Sequence, residues 1–346
     1  MTTTILTLNA GSSSVKYALF GRGTDLPLLA HGNEALTGGE THEHAVRRIL
    51  DSIHSHAEDW QIAMVAHRIV HGGAKFTAPV RVTADVFHEL KLLCPLAPLH
   101  QPHNLAALGI AERLLPHVPQ IACFDTAFHA RHDPLFSAYA VPQELAAKGV
   151  RRYGFHGLSY AWIAQMLQRD EPELAKGRVI VAHLGNGASL CAMVGGISID
   201  TTMGMTTLDG LPMGTRSGSL DPAAVIYMIR DLGMTPDEAE HTLYEKSGLK
   251  GLSSLTNDVR ALLASPDPRA AFALDYYALK VAQHVAMLAV SVGGIDALIF
   301  TGGIGENAAS VRDAVLQRLA PIATPRVLVI PANEERMMAM ETWRLD

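Results

Sequence analysis

The sequence predicts an α/β protein of two domains, and three observations point there. The chain has 346 residues, more than one simple core accommodates. Short apolar runs with strand character alternate along it with amphipathic helical stretches. Each half also contains a strand, a turn of small residues and a returning strand, followed by mixed α/β sequence. The recurrence is one of architecture and not of sequence, and it predicts two α/β domains facing one another across a cleft, with functional loops at strand ends.

The elements follow in order. Residues 5–8 read as a buried strand entering the turn Asn9–Ser14, and 15–20 as the strand that returns, making a hairpin. A helix is expected at 43–58, a strand at 62–70 ending near Arg68, and a short strand at 80–82. Helices at 84–93 and 103–114 flank the loop Pro95–His100, and a strand at 121–124 delivers Asp125. In the second half, 179–183 is a strand running into Leu184–Ser189, and 190–194 returns. Helices are expected at 221–232, 236–245, 256–265 and 270–291. A strand at 295–300 feeds Thr301–Asn307; a helix, a strand at 326–330 and a helical tail after Asn333 close the chain.

Composition excludes several classes. Apolar residues make up 48% and charged residues 18%, the balance of a folded, water-soluble chain, and a formal charge of -6 argues against nucleic acid as a partner. The three cysteines, Cys94, Cys123 and Cys191, give neither a disulfide framework nor zinc spacing, so a reducing cytoplasm is expected. His42, His44, His54 and His56 read as surface histidines of an amphipathic helix, not as a metal tract. The opening MTTTILTLNAG has no basic, apolar signal pattern, and the apolar run at 283–292 is too short to cross a bilayer.

The loops carry the chemistry. Gly11 with Ser12, Ser13 and Ser14 offers backbone N–H groups and hydroxyls to phosphate oxygens, and Lys16 adds a point charge. A serine-rich hairpin turn with an exposed lysine fits equally well, and Walker A spacing is absent. The segment His183–Ser189 has the same character, with Gly185 and Gly187 permitting close approach and Asn186 able to donate; two such hairpins point to a polyphosphate. The run Thr301–Asn307 is a glycine corner that can accept a purine and its sugar, although it lacks dinucleotide-fingerprint spacing. Arg68 and Arg216 suit carboxylate or phosphate oxygens bidentately, or else serve as structural ion pairs. His156 can donate to a phosphoryl group, while Asp125 and Glu334 are candidate carboxylates for a divalent cation or ordinary surface and capping groups.

Ten strings in this order, NAGSSSVK, HRIVHGG, PLAPLH, FDTAFH, RRYGFHG, HLGNGAS, DTTMG, MGTRSG, FTGGIGEN and IPANEE, resemble the acetokinase family of acetate, propionate and butyrate kinases nearly end to end. The resemblance implies the two-domain, actin-like fold of the sugar kinase, Hsc70 and actin superfamily, with a duplicated βββαβαβα core and an interdomain cleft. It implies domains at 1–127 plus 335–346 and at 128–334. The expected activity is reversible, direct in-line transfer of the ATP γ-phosphate to acetate or propionate with Mg2+, or Mn2+ in its place, by a cytoplasmic homodimer. Butyrate kinase, a pyrophosphate-linked acetate kinase and a non-enzymatic ATP-binding protein are the alternatives.

Residue by residue, the resemblance implies that Ser12, Ser14 and Lys16 form the first phosphate loop, with Asn9 near metal and phosphoryl group. Arg68 and Arg216 would hold carboxylate and phosphoryl group, His156 and Arg216 would stabilise the transition state, Asp125 would be the catalytic aspartate and Glu334 the metal-linked glutamate. His183, Asn186 and Gly187 match the second phosphate loop. Asp258 and Arg260, with Gly303, Ile304 and Asn307, match the adenosine side. Val70, Leu99 and Phe155 would line an apolar pocket for the alkyl end. The chain departs from the family in being shorter before Arg68 and near 315–325, in Leu158 and Tyr160 after His156, and in Gln101 where asparagine is common.

Overall fold

The computed structural model describes residues 2–23, 25–55 and 59–345, and the chain divides into two compact units. The first comprises Met1–Ala130, Gly157–Trp162 and Asn333–Asp346, the second Arg131–His156 and Ile163–Ala332. His56, read above as a surface histidine, lies outside the described residues.

The first unit holds β1 (Thr2–Ala10), β2 (Ser14–Gly21), β3 (Leu28–Ala35), β4 (Trp60–Ile69), β5 (Val80–Arg81) and β6 (Gln120–Phe124) in one sheet, ordered β3-β2-β1-β4-β6-β5. β1 is antiparallel to β2 and parallel to β4, and β4 is parallel to β6. The second unit holds β7 (Arg178–Leu184), β8 (Ala188–Val194), β9 (Ile197–Thr201), β10 (Ala297–Thr301) and β11 (Arg326–Val329), ordered β11-β10-β7-β8-β9. Its pairings repeat those of the first sheet: β7–β8 and β8–β9 antiparallel, β7–β10 and β10–β11 parallel. With the edge strand β5 left out of the count, since it has no counterpart, both sheets run 3-2-1-4-5 when strands are numbered within each unit.

Strand alternation sorts the first unit into layers. Leu6, Leu8 and Ala10 of β1 enter an apolar cluster with Val46, Ile49 and Ile53 of the helix α1 (His42–His54). Ala122 and Phe124 of β6 pack with Leu105 and Leu108 of α3 (Gln101–Leu114), which is preceded by α2 (Ala84–Leu92). On the opposite face the C-terminal helix α4 (Glu334–Trp343) lies across β1, β2, β4 and β6. Glu341 on this helix is largely buried, and one of its carboxyl oxygens has no hydrogen-bond partner.

Helix limits follow local chemistry. Thr83 caps α2 through the Val86 N–H, and Asn333 caps α4 through the Arg336 N–H. The helix expected from 103 begins at Gln101, with Pro102 in its first turn, where a missing N–H costs nothing. The one expected at 256–265 shortens to Val259–Ala264 because Asp258 caps it. β3 and β9 were not anticipated from the sequence, and neither was the helix Gly157–Asp170. Thr301–Asn307 is not an open corner: Gly302–Asn307 coils into a short helix. Among the described residues no helix is long and apolar enough to cross a membrane.

Candidate active site

Asn9, Arg68 and Asp125 stand at the carboxyl ends of three adjacent parallel strands. The β1–β4 register pairs Leu8 with His67, and the β4–β6 register pairs Ile69 with Phe124, so the three residues come out side by side. Arg68 donates from Nε to Asp125 Oδ1 at 3.0 Å and from Nη2 to Oδ2 at 2.7 Å, a bidentate pair. Its Nη1 lies 3.1 Å from Glu334 Oε2 and donates to Asn9 Oδ1 at 3.5 Å. The side chains of Arg68 and Asp125 are 19% and 2% exposed, so this charge pairing is shielded from water.

Electrostatics follow from that burial. Loss of water disfavours the charged form of both partners. For Arg68 the neighbouring Asp125 and Glu334 outweigh it and hold the guanidinium firmly protonated. For Asp125 burial pushes the carboxyl up, Arg68 pulls it back, and Glu334 adds repulsion. The cluster offers two carboxylates and an amide oxygen around one cation. Such an all-oxygen donor set fits Mg2+, which keeps several waters and shares its ligation with substrate phosphates.

The hairpin turn beside this cluster is closed by a Gly11 N–H to Ser14 carbonyl bond of 2.9 Å. Ser12 and Lys16 are exposed, Ser14 is half-buried, and Lys16 stands opposite Asn9 in the β1–β2 register. His42 Nε2 lies 2.8 Å from the Gly11 carbonyl. Val70 is buried, whereas Leu99 is 37% exposed.

In the second unit His156 has a left-handed backbone, φ 57°, immediately before the helix Gly157–Asp170. Its Nδ1 lies 2.8 Å from Ser189 Oγ, and its ring stacks on His183 with centroids 4.4 Å apart. A Cβ on Gly187 would stand 3.2 Å from His156 Nε2 and 3.7 Å from Arg216 Nη1. A methyl group there would be tight against the imidazole, and the two distances show that His156 and Arg216 converge on Gly187. Arg216 is steadied by a 3.1 Å bond from Nη1 to the Thr207 carbonyl. Phe155, next to His156, is wholly buried.

A cavity of about 650 Å³ opens at the carboxyl ends of β7 and β10, lined among others by Asn186, Asn257, Asp258, Arg260, Gly303, Ile304 and Asn307. Its size suits a small-molecule ligand. Asn257 Nδ2 donates to Asn186 Oδ1 at 2.9 Å, and Asn307 Nδ2 to the Gly303 carbonyl at 2.9 Å, so two lining amides are held in place. Asp258 accepts from the Arg260 N–H at 2.9 Å, which lowers its carboxyl below the usual range.

The structure thus gathers the sequence candidates into three groups. Asn9, Arg68, Asp125 and Glu334 form one; His156, His183, Gly187 and Arg216 another; Asn186, Asp258, Arg260, Gly303, Ile304 and Asn307 the third. Of the three residues expected to line an apolar pocket, Val70 and Leu99 belong to the first unit and Phe155 to the second. Sequence reasoning missed Ser189 as the partner of His156, although it closes the HLGNGAS string, and missed Asn257, whose only signal was its place before Asp258.

Comparison with known proteins gives the class first. The fold is the α/β actin-like fold with a duplicated βββαβαβα-like core, and the chain superimposes on a propionate kinase from Francisella tularensis with a TM-score of 0.90, at 35% identity over 98% of each chain. The acetate kinase of Porphyromonas gingivalis gives a TM-score of 0.87 at 32% identity over 99% of each chain. Acetate kinase of Rhodopseudomonas palustris is 42% identical over an alignment of 393 positions that takes in all of this chain and 99% of the relative. A sequence profile of the Acetokinase family matches residues 29–325. The chain belongs to the acetokinase family and is a phosphotransferase of that family.

Proposed function

We propose that this phosphotransferase carries the γ-phosphate of ATP to acetate, and to propionate as a second acceptor, reversibly and with Mg2+. The reaction class is phosphoryl transfer to a carboxylate acceptor. The observation that carries the reading is Arg68 poised at the ends of three parallel strands between Asp125, Glu334 and Asn9.

An acceptor carboxylate is already ionised at neutral pH, so no strong general base is required. The barrier is set by placement and by repulsion between two anions. Arg68 would orient the acceptor oxygen and offset that repulsion. Arg216, converging with His156 on Gly187, would meet the charge spread over the equatorial phosphoryl oxygens, and His156 would donate from Nε2 while Ser189 holds Nδ1. Asp125, Glu334 and Asn9 would hold Mg2+ through oxygen and water; the ion neutralises phosphate charge when bound. Asn186, Asp258, Arg260, Gly303, Ile304 and Asn307 would hold the nucleoside end, and the cavity volume supports that assignment. Ser12, Ser14, Lys16 and His183 would serve the phosphates, and Val70, Leu99 and Phe155 the alkyl end. The functional division we assign is 1–127 plus 335–346 for the acceptor side and 128–334 for the nucleotide side. Homodimerisation, implied by the family, is checked by light scattering of the purified chain.

The test is ADP release by the purified protein with Mg·ATP and a panel of formate, acetate, propionate, butyrate and isobutyrate, with a no-acid control. Stimulation strongest with acetate or propionate supports the reading. A maximum at butyrate changes the acceptor and keeps the chemistry. Bound ATP with no stimulation by any acid would sink it.

A further inference from the structure

The ladder between β1 and β4 stops at Leu8 and His67. Beyond it lie the two segments that present Asn9 and Arg68, and what joins them there is a side chain. Asn104, on α3, accepts from the Val70 N–H through Oδ1 at 3.0 Å and donates from Nδ2 to the Ala10 carbonyl at 2.7 Å. The residue is 4% exposed. Only one orientation of the amide satisfies both bonds, because the N–H needs an acceptor and the carbonyl a donor.

A second amide sits one turn earlier on the same helix. Gln101, wholly buried, accepts from the His71 N–H at 3.1 Å and donates to the His71 carbonyl at 3.0 Å and to the Leu90 carbonyl at 3.3 Å. Residues at i and i+3 of a helix share a face, so both amides reach the same strand end. Thr126, next to Asp125, completes the set by accepting from the Gly72 N–H at 3.0 Å. Three consecutive amides after Arg68 and Ile69 are therefore fixed by side chains from outside the sheet, and Asn104 alone also grips the backbone next to Asn9.

We propose that Asn104 is a positioning residue for the phosphoryl transfer, setting the distance between the Asn9 turn and Arg68 by bridging the ends of β1 and β4. The proposal rests on the assignment of Arg68 and Asn9 to the reacting groups. Asn104 would touch neither substrate; it acts through the backbone that carries those two side chains. A displacement of the order of an ångström at that distance is enough to slow an in-line transfer severely.

The experiment measures kcat and KM for acetate and for Mg·ATP, together with melting temperature, on the full chain and four variants. Asn104→Ala removes both bonds. Leu108→Ala, a buried apolar truncation on the same helix, controls for a purely structural loss. Arg68→Ala tests the underlying assignment. Asn104→Asp carries the discriminating readout: the ionised carboxylate accepts from Val70 but repels the Ala10 carbonyl, whereas the protonated acid donates to that carbonyl and restores both bonds. The expected result is a loss in kcat/KM of at least about tenfold for Asn104→Ala, against less than about twofold for Leu108→Ala. For Asn104→Asp, activity relative to the unaltered protein should rise at least about fivefold as the pH falls from 8 to 6, because burial raises a carboxyl and its protonated form restores both bonds. Asn104→Ala should show no such recovery.

The proposal is overturned if Arg68→Ala is inactive while Asn104→Ala stays near normal, if Leu108→Ala loses as much as Asn104→Ala, or if the Asn104→Asp ratio is flat with pH. Near-normal turnover in Arg68→Ala overturns the assignment itself, and the proposal with it.

Discussion

Glu341 makes the native protein less stable as the pH rises, and replacing it should show by how much. Burial is the main influence on its carboxyl, which is pushed up from 4.5 to about 7, with Arg344 and Cys123 opposing and Asp125 adding to the rise. An acid whose pKa is raised by folding binds more protons in the native state than in the unfolded one. Stability is then fully present below the unfolded value and is lost as the pH climbs through the folded value. A rise of this size is worth roughly 3 kcal/mol in full, of which about 2.5 kcal/mol falls between pH 5 and pH 8. Glu341→Gln cannot ionise and lacks this dependence. The assay is urea unfolding of both proteins at pH 5 and pH 8, followed by intrinsic fluorescence. Trp60, Trp162 and Trp343 all belong to the first unit, so the signal reports the unit that contains the substitution. The variant should gain on the unaltered protein by about 2.5 kcal/mol more at pH 8 than at pH 5. Because the two are compared at the same pH, the titration of every other group largely cancels. An equal difference at both pH values, or one that shrinks at pH 8, would refute the reasoning.

Other outcomes follow from the same geometry. Arg68→Ala leaves Asp125 and Glu334 without their shared cation; it should cost about 3–5 kcal/mol in urea unfolding and at least about 100-fold in turnover. Arg68→Lys should recover little of that turnover, because a lysine cannot make the bidentate pair seen with Asp125. Gly187→Ala places a methyl group 3.2 Å from His156 Nε2, and kcat should drop at least about tenfold with an unchanged circular dichroism spectrum. A normal kcat would mean that His156 and Arg216 do not act over Gly187. Asp258→Ala should raise KM for ATP while leaving kcat near its original value, and steady-state kinetics at saturating acetate would show the reverse pattern if the residue worked in the chemical step.

Much of the fold was legible because its signals are local. The strand–turn–strand units at Asn9–Ser14 and Leu184–Ser189 advertise themselves through apolar runs broken by small residues, and both appear as hairpins in the sheets. β3 escaped because LLAHGNEA is an edge strand with no buried residue, and its apolar run ends after Leu28–Ala30 in a polar, glycine-containing stretch. The helix Gly157–Asp170 escaped for the opposite reason. Leu158, Tyr160, Trp162, Ile163, Met166 and Leu167 are all buried, so it has no clean polar face, and its start is dictated by a tertiary contact, the 2.8 Å bond from the Gly157 N–H to the Asp125 carbonyl. The same division runs through the site. Residue types such as Arg68 and His156 stand out in glycine-rich strings. What holds them does not: Asn104 bonds to Ala10 from 94 positions away, and the salt partners of Arg68 come from positions 125 and 334. Such pairings depend on the order of strands in a sheet, which no short window of sequence contains.

The alternation of β1 bears on how such a chain can shrink. Leu8 points to one layer and Asn9 to the other, so losing a single residue within the strand would turn the site inward and the core outward. The relative from Rhodopseudomonas palustris aligns over 393 positions against 346 residues here, so segments have been gained or lost in the lineage separating the two. Insertions and deletions in this architecture are filtered by parity. A change of length between strands leaves that alternation untouched, whereas an odd step inside a strand has to be absorbed by a bulge, as the register shift of β1 against β4 at Thr4/Ile5 is.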